Sequence, residues 1–335
     1  MFSFSRENTG LVAKWWRNID KQILFIFVFL LLLGLFFSFS STTSMMSEKM
    51  NKQTYFFFIK HLIFVSISLF LLIAISIQEK NKLIKFLIYL FLVSIVLLFL
   101  TLVVGVEIKG SKRWMGFDPL PRFQPVELVK PLFIIFVAKI IVLNEKANIY
   151  RRYLYSFLVL LLIVIILINQ PDLGQTLLLA SVWITMVFVS GFDMVILLIL
   201  GLAFLSIITL LIFFFPEKFS YVFLRIKTFM DPKAGDNFQS QKALDAIKQG
   251  GLTGQGMGEG ILKDEVPEAH TDYIIAVVSE EFGAIFVLFI VTIFLFIGYK
   301  VFNKVFSEKN EFLKLALVGL VSLLIIQTFI HIGVN

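Results

Sequence analysis

The sequence predicts an all-α fold, a polytopic bundle of transmembrane helices, and two observations carry the prediction. Of its 335 residues, 59% are hydrophobic and 40 are Phe, with a mean hydropathy of +0.92. A soluble domain cannot bury that much apolar surface. The apolarity is also segregated into nine runs, at residues 23–41, 55–77, 83–106, 125–143, 153–168, 173–191, 194–215, 273–301 and 312–334. They run from 16 to 29 residues, around the roughly 20 that a helix needs to cross a bilayer, where every backbone polar group must be satisfied within the segment.

Composition also excludes several kinds of chemistry. Cysteine is absent, which rules out disulfides, thiolate metal sites and a catalytic thiol. The 3 histidines, His61, His270 and His331, are too few and too scattered for a His-built metal centre. The net charge of +7 is spread over short loops, so it points to anionic lipid and not to nucleic acid.

In chain order, residues 1–22 are basic and carry Trp15 and Trp16, and indoles beside cations mark a membrane interface. Residues 23–41 follow without a small-residue cleavage site and read as an uncleaved signal anchor. Placing the N-terminus in the cytoplasm gives the inner short loops more Lys and Arg than the outer ones, which sets the orientation. Pro171 breaks the helix between the fifth and sixth spans, so residues 169–172 form a tight outer turn. Asp172 is placed there to cap the next helix.

A large extracytoplasmic loop, residues 216–271, separates spans seven and eight. Within it, residues 239–249 read as a short amphipathic helix along the outer interface, with Ala243, Leu244 and Ile247 on one face. The glycines at 250, 251, 254, 256, 258 and 260 do not make a nucleotide loop, because no strand precedes them and GxxxxGK is absent. They read as a pliable loop that lets backbone approach a ligand, or as a turn-rich linker.

Two constellations carry chemistry. In the first, Lys112 and Arg113 stand at the outer interface, and Gln124 and Pro125 open a helix bearing Glu127 and Lys130. Three residues apart, those two share a face and can pair. Ionisable residues within a span are expensive unless they face a partner or a watery cavity. The functional reading is a pocket wall where Lys130 or Arg113 meets phosphate; the alternative is a structural ion pair near the headgroups. In the second constellation, His270 and Asp272 lie where the loop meets the eighth span, with Glu280 and Glu281 about two turns on. A carboxylate at such a boundary is partly desolvated, which suits a general base. Spacing alone equally allows solvated loop residues, with Glu281 capping or pairing inside the bundle.

At these residues the chain resembles the SEDS family. The matching pieces are KGSKRW (109–114), FQPVELVKP (123–131), QPDLG (170–174), MDP (230–232), QS (239–240), GGLTGQGMGEG (250–260) and VPEAHTDYIIAVVSEEFG (266–283). They come in the family's order and cover most of the chain. The start of the chain, the approach to KGSKRW and PEAHTD resemble the division branch of the family more than the elongation branch. The resemblance implies a ten-span peptidoglycan glycosyltransferase of the bacterial inner membrane that polymerises lipid II at the division septum. It implies a class B penicillin-binding protein as partner, among other divisome membrane proteins. It makes Asp272 catalytic and places Glu127 and Lys130 along the same cavity. Lys112, Arg113, His270 and Glu281 join them as substrate-binding candidates, with Gln124, Pro125, Pro171 and Asp172 structural. The only cofactor expected is a divalent cation, Mg or Mn, assisting at the pyrophosphate. Val126 stands where the family has Ser and His331 where it has Asn, and a tenth span is expected beyond Asn335. A flippase for the same lipid-linked precursor, an elongation polymerase and a non-catalytic scaffold are the alternative readings.

Overall fold

The computed structural model describes residues 10–41, 55–108, 111–116, 122–143, 149–216, 238–266, 269 and 271–334. His270, the MDP segment at 230–232 and much of the large loop lie outside them. The chain divides into two compact units, the first made of Met1–Leu83, Asp236–Ile297 and Thr328–Asn335, the second of Ile84–Gly235 and Gly298–Gln327.

The described residues are almost entirely helical: α1 Leu11–Asn18, α2 Lys21–Ser41, α3 Phe56–Ile77, α4 Lys80–Val104, α5 Pro125–Leu143, α6 Ile149–Asn169, α7 Leu173–Val189, α8 Met194–Phe214, α9 Phe238–Gly250, α10 Ile274–Ser307 and α11 Glu311–Val334. Seven of these helices are long and apolar enough to cross a membrane. Each of the nine apolar runs is a helix, but two fall outside that set. With 17 residues, α7 is short, and α5 carries Glu127, Lys130 and Lys139.

In the second unit, Phe133, Ile134 and Val137 of α5 pack with Ile163 and Leu167 of α6 and Leu179, Val182 and Met186 of α7. Gly319 of α11 has no room for a side chain, since a Cβ would lie 2.5 Å from Ile134 Cγ2 and 2.8 Å from Met186 Sδ. Small residues of this kind let membrane helices approach closely where no hydrophobic driving force acts between them. One polar pair inside the bundle is made by Trp183 Nε1, which donates to Ser156 Oγ at 3.1 Å.

Among its described residues, the first unit shows these apolar clusters. Ala243 and Ala246 of α9 meet Val266, Ala269, Tyr273, Ala276 and Val277. Phe37 of α2 packs on Phe282 and Phe286 of α10, with ring centroids 5.8 and 5.7 Å apart.

One expectation is corrected, and two elements appear that the sequence reading did not assign. The KGSKRW region contains an antiparallel pair, β1 Val106–Ile108 with β2 Ser111–Trp114, joining Val106 to Trp114 and Ile108 to Ser111. The basic start of the chain contains α1, whose Trp15 Nε1 donates to Ser76 Oγ at 2.7 Å. On α9 the packed face is Ala243, Ala246 and Gly250, with Ile247 half-buried against the same cluster as expected, while Leu244, expected on that face, is 48% exposed. The 3.6-residue period aligns 243, 246 and 250, and the small side chains there let α9 sit close.

Candidate functional site

The acidic segment belongs to the first unit, and a broken helix organises it. Gly283 interrupts α10 with φ 79 and ψ 171, a conformation open essentially to glycine alone. In a continuous helix, the Ala284 and Ile285 amides would bond the carbonyls of Glu280 and Glu281. Here Ala284 N–H donates to Gly251 O at 3.0 Å and Ile285 N–H to Leu252 O at 3.3 Å. The vacated carbonyls accept from Gln255 N–H at 2.9 Å and Gly256 N–H at 3.0 Å. The glycine-rich loop is thus spliced into the break and satisfies backbone groups that an apolar span cannot leave bare.

That splice explains Gly254 and Gly283. A Cβ on Gly254, which has φ +81, would lie 2.2 Å from Glu281 O, and one on Gly283 would lie 2.2 Å from Leu252 O. The close backbone approach expected for a ligand is an approach to α10.

The carboxylates just before the break fasten the next turn, a 3₁₀ segment Leu262–Asp264. Glu280, fully buried, accepts at Oε1 from Leu262 N–H at 2.8 Å. Glu281 takes the Lys263 ammonium at Oε1, 2.6 Å away, and the Ser40 hydroxyl at Oε2. Lys263 also donates to Gly258 O at 3.3 Å. Glu281, a substrate candidate in the sequence, therefore has both oxygens engaged within the protein. Thr271 and Asp272 are exposed, directly before buried Tyr273 and the first residue of α10.

The second unit holds the other constellation. Glu127 and Lys130 pair at 2.8 Å as their spacing predicts, with side-chain exposures of 48% and 2%. Lys130 Nζ also donates to Gln327 Oε1 of α11 at 3.2 Å, and Gln175 Nε2 reaches Glu127 Oε1 at 3.5 Å. Pro125 is buried at the first helical position, where its missing N–H is no loss, and Gln124 precedes it half-buried. Lys112 is exposed.

Arg113 clamps the turn between α6 and α7. Its Nε donates to Gln170 O at 3.3 Å and lies 3.5 Å from Asp172 Oδ2, and its Nη2 donates to Pro171 O. Asp172 caps α7 as expected, accepting from Gln175 N–H at 3.4 Å. Burial pushes its carboxyl above the ordinary Asp range, against the opposing pull of the Arg113 guanidinium. Gln170 adds a bond from Nε2 to Leu98 O at 3.2 Å and one to Thr101 Oγ1.

Sequence reasoning missed Lys263, Gln175 and Gln327. Gln327 had a visible signal, an amide inside an otherwise apolar run. Lys263 had none, because it is one loop cation among many until the fold buries it. Among the described residues, no group of three or more His, Asp or Glu could hold a metal ion.

The Glu127–Lys130 pair makes an asymmetric prediction. Removing one partner of a buried pair costs about 3–5 kcal/mol when the remaining charge stays buried. Glu127→Gln strands the buried Lys130 ammonium, whereas Lys130→Met leaves a half-exposed Glu127 that water can reach. Thermal unfolding in detergent should therefore show the larger loss for Glu127→Gln. The reverse order would mean that Lys130 is hydrated through a path absent from this structure.

The fold and these polar networks define a polytopic α-helical membrane protein with charge held at helix starts. The chain belongs to the FtsW/RodA/SpoVE family of cell cycle proteins, whose family model matches residues 21–335. It is 30% identical over 338 residues to the probable peptidoglycan glycosyltransferase FtsW of Caulobacter vibrioides, covering 99% of this chain and 84% of that one. Among solved structures, the rod shape determining protein RodA of Thermus thermophilus matches with a TM-score of 0.68 at 22% identity, over 95% of this chain and 86% of that one. A chain from work on "Structural coordination of polymerization and crosslinking by a peptidoglycan synthase complex" matches with a TM-score of 0.74 at 22% identity, over 95% of this chain and 87% of that one. At these identities, the structural matches establish the shared helical fold.

Proposed function

We propose that this chain is an inverting peptidoglycan glycosyltransferase that polymerises lipid II at the division septum. The observation that carries the reading is an exposed carboxylate, Asp272, at the junction of a polar loop and an apolar span. The relatives named peptidoglycan glycosyltransferase FtsW support the same class of chemistry. Asp272 accepts the proton of the acceptor sugar hydroxyl. The freed oxygen attacks the anomeric carbon of the donor, the new glycosidic bond forms, and the bond to undecaprenyl pyrophosphate breaks. Direct displacement inverts the anomeric centre and needs one base and stabilisation of the departing charge. Lys112, the exposed one of the three candidate cations, is proposed to meet the phosphates; Arg113 and Lys130, engaged with the 170–172 turn and with Glu127 and Gln327, would reach them only on rearrangement. His270 is proposed to contact substrate. A divalent cation bound with the pyrophosphate would add positive charge there; no step depends on it.

The arrangement proposed in the membrane has nine spans, α2–α8 with α10 and α11, and a cytoplasmic N-terminus in the bacterial inner membrane. The transpeptidase partner is a class B penicillin-binding protein. The structural match to a chain studied in a peptidoglycan synthase complex makes that pairing the first to test.

A flippase for the same precursor is the competing function. Detergent-solubilised protein with its partner and purified lipid II separates the two, because no membrane remains to be crossed. Glycan strands in that reaction support the polymerase; their absence with an active, folded partner, alongside lipid II translocation in vesicles, would establish the flippase instead.

A further inference from the structure

We infer that Lys263 is a positioning residue for Asp272, acting through its buried ion pair with Glu281; this inference rests on Asp272 being the general base. The segment that carries Asp272 leaves α10 and returns to it. Its far end is the turn Leu262–Asp264, fastened to α10 by Leu262 N–H on Glu280 at 2.8 Å and by Lys263 Nζ on Glu281 at 2.6 Å. Its near end is the start of α10 at Ile274. Between them Val266, Ala269 and Tyr273, at 1%, 1% and 8% exposure, pack against Ala243, Ala246, Ala276 and Val277. Asp272 stands exposed on a loop whose two ends both meet the first turns of one helix.

The Lys263–Glu281 pair is buried on both sides, with side-chain exposures of 5% and 0%. A buried ion pair is weak evidence of stability, since apolar residues of similar size often do as well. What an apolar pair cannot reproduce is direction: a single ammonium-to-carboxylate contact sets the register of the turn against the helix. Two further ties make that register specific. Lys242 of α9 pairs with Glu265 in the adjoining residues. The loop amides of Gln255 and Gly256 bond the carbonyls of Glu280 and Glu281 themselves. The side chains and the main chain of the same two glutamates thus hold both the glycine loop and the turn leading to Asp272.

The test uses the full-length protein with its partner and lipid II. The variant Lys263→Met/Glu281→Met removes both charges, so none is left buried and unpaired. Its kcat is expected to fall about 10- to 100-fold, the effect of a displacement near 1 Å at a reacting group. KM for lipid II should stay unchanged, because Lys263 and Glu281 are buried against each other and not open to substrate. Lys263→Arg, which preserves the ion pair, should keep most of the activity. Hydrogen exchange should quicken at residues 262–273 in the double variant. If that variant does not fold, Glu281→Asp, which keeps both charges and shortens one arm by a methylene, carries the same measurements. An unchanged kcat with faster exchange overturns the positioning role, and unchanged exchange overturns the tether. Asp272→Asn is run in parallel: normal polymerisation by that variant sinks the general-base reading itself, while the exchange data still report on the tether.

Discussion

Asp272→Asn should lower lipid II polymerisation by at least about 10²-fold, the lower end of what a general base contributes. The amide has the size and shape of the carboxylate and cannot take the acceptor proton. Asp272 is exposed, so the change should shift stability by no more than about 0.5 kcal/mol. Membrane insertion and partner recruitment should persist, and melting in detergent should match the parent. The measurement is glycan-strand formation from purified lipid II. Polymerisation by Asp272→Asn at the parental rate would end the assignment. Conversely, an inactive variant that still binds its partner argues against a pure scaffold, for which the carboxylate would be dispensable to every measured output.

Gly283→Ala should be among the most destabilising single substitutions in the chain, at roughly 3–5 kcal/mol. Two effects combine. The φ 79, ψ 171 conformation is one that a Cβ makes strongly unfavourable, and that Cβ would lie 2.2 Å from Leu252 O. Relief requires the glycine loop to move away. That would strip the Glu280 and Glu281 carbonyls and the Ala284 and Ile285 amides of the partners they have here. Gly201→Ala is the control, because Gly201 lies inside α8 with nothing within 4 Å of a new Cβ. That change should be neutral or slightly stabilising, as alanine outranks glycine in a helix. Thermal melts of both variants in one detergent decide the matter, and a Gly283→Ala protein as stable as Gly201→Ala would show that the break in α10 is not held by the splice.

The two constellations differ in how much the sequence reveals. Glu127 and Lys130 could be paired from their numbers alone, because three residues on a helix fix a shared face, and the observed 2.8 Å contact follows. Asp172 as a cap was equally legible, since Pro171 ends one helix and a side-chain acceptor directly before the next has amides to bond. The β-hairpin at 106–114 was written in the alternation of GVEIKGSKRW, but its strands are too short to stand out beside nine apolar runs. Leu244 was misplaced because hydrophobicity was used to choose the buried face of α9, where close approach favoured alanine and glycine.

What the amino-acid order settled by itself was local. Lipid cannot satisfy a bare backbone, so long apolar runs must be helices, and charges at fixed helical spacing must be neighbours. Only the tertiary structure decided what the glycines at 250–260 are for and which cation meets Glu281. Both depend on a loop folding back onto a helix, where Lys263 meets a glutamate 18 residues further along the chain. No periodicity encodes such a return: it is set by which backbone groups a broken span leaves unsatisfied, and by which distant segment is small enough to reach them.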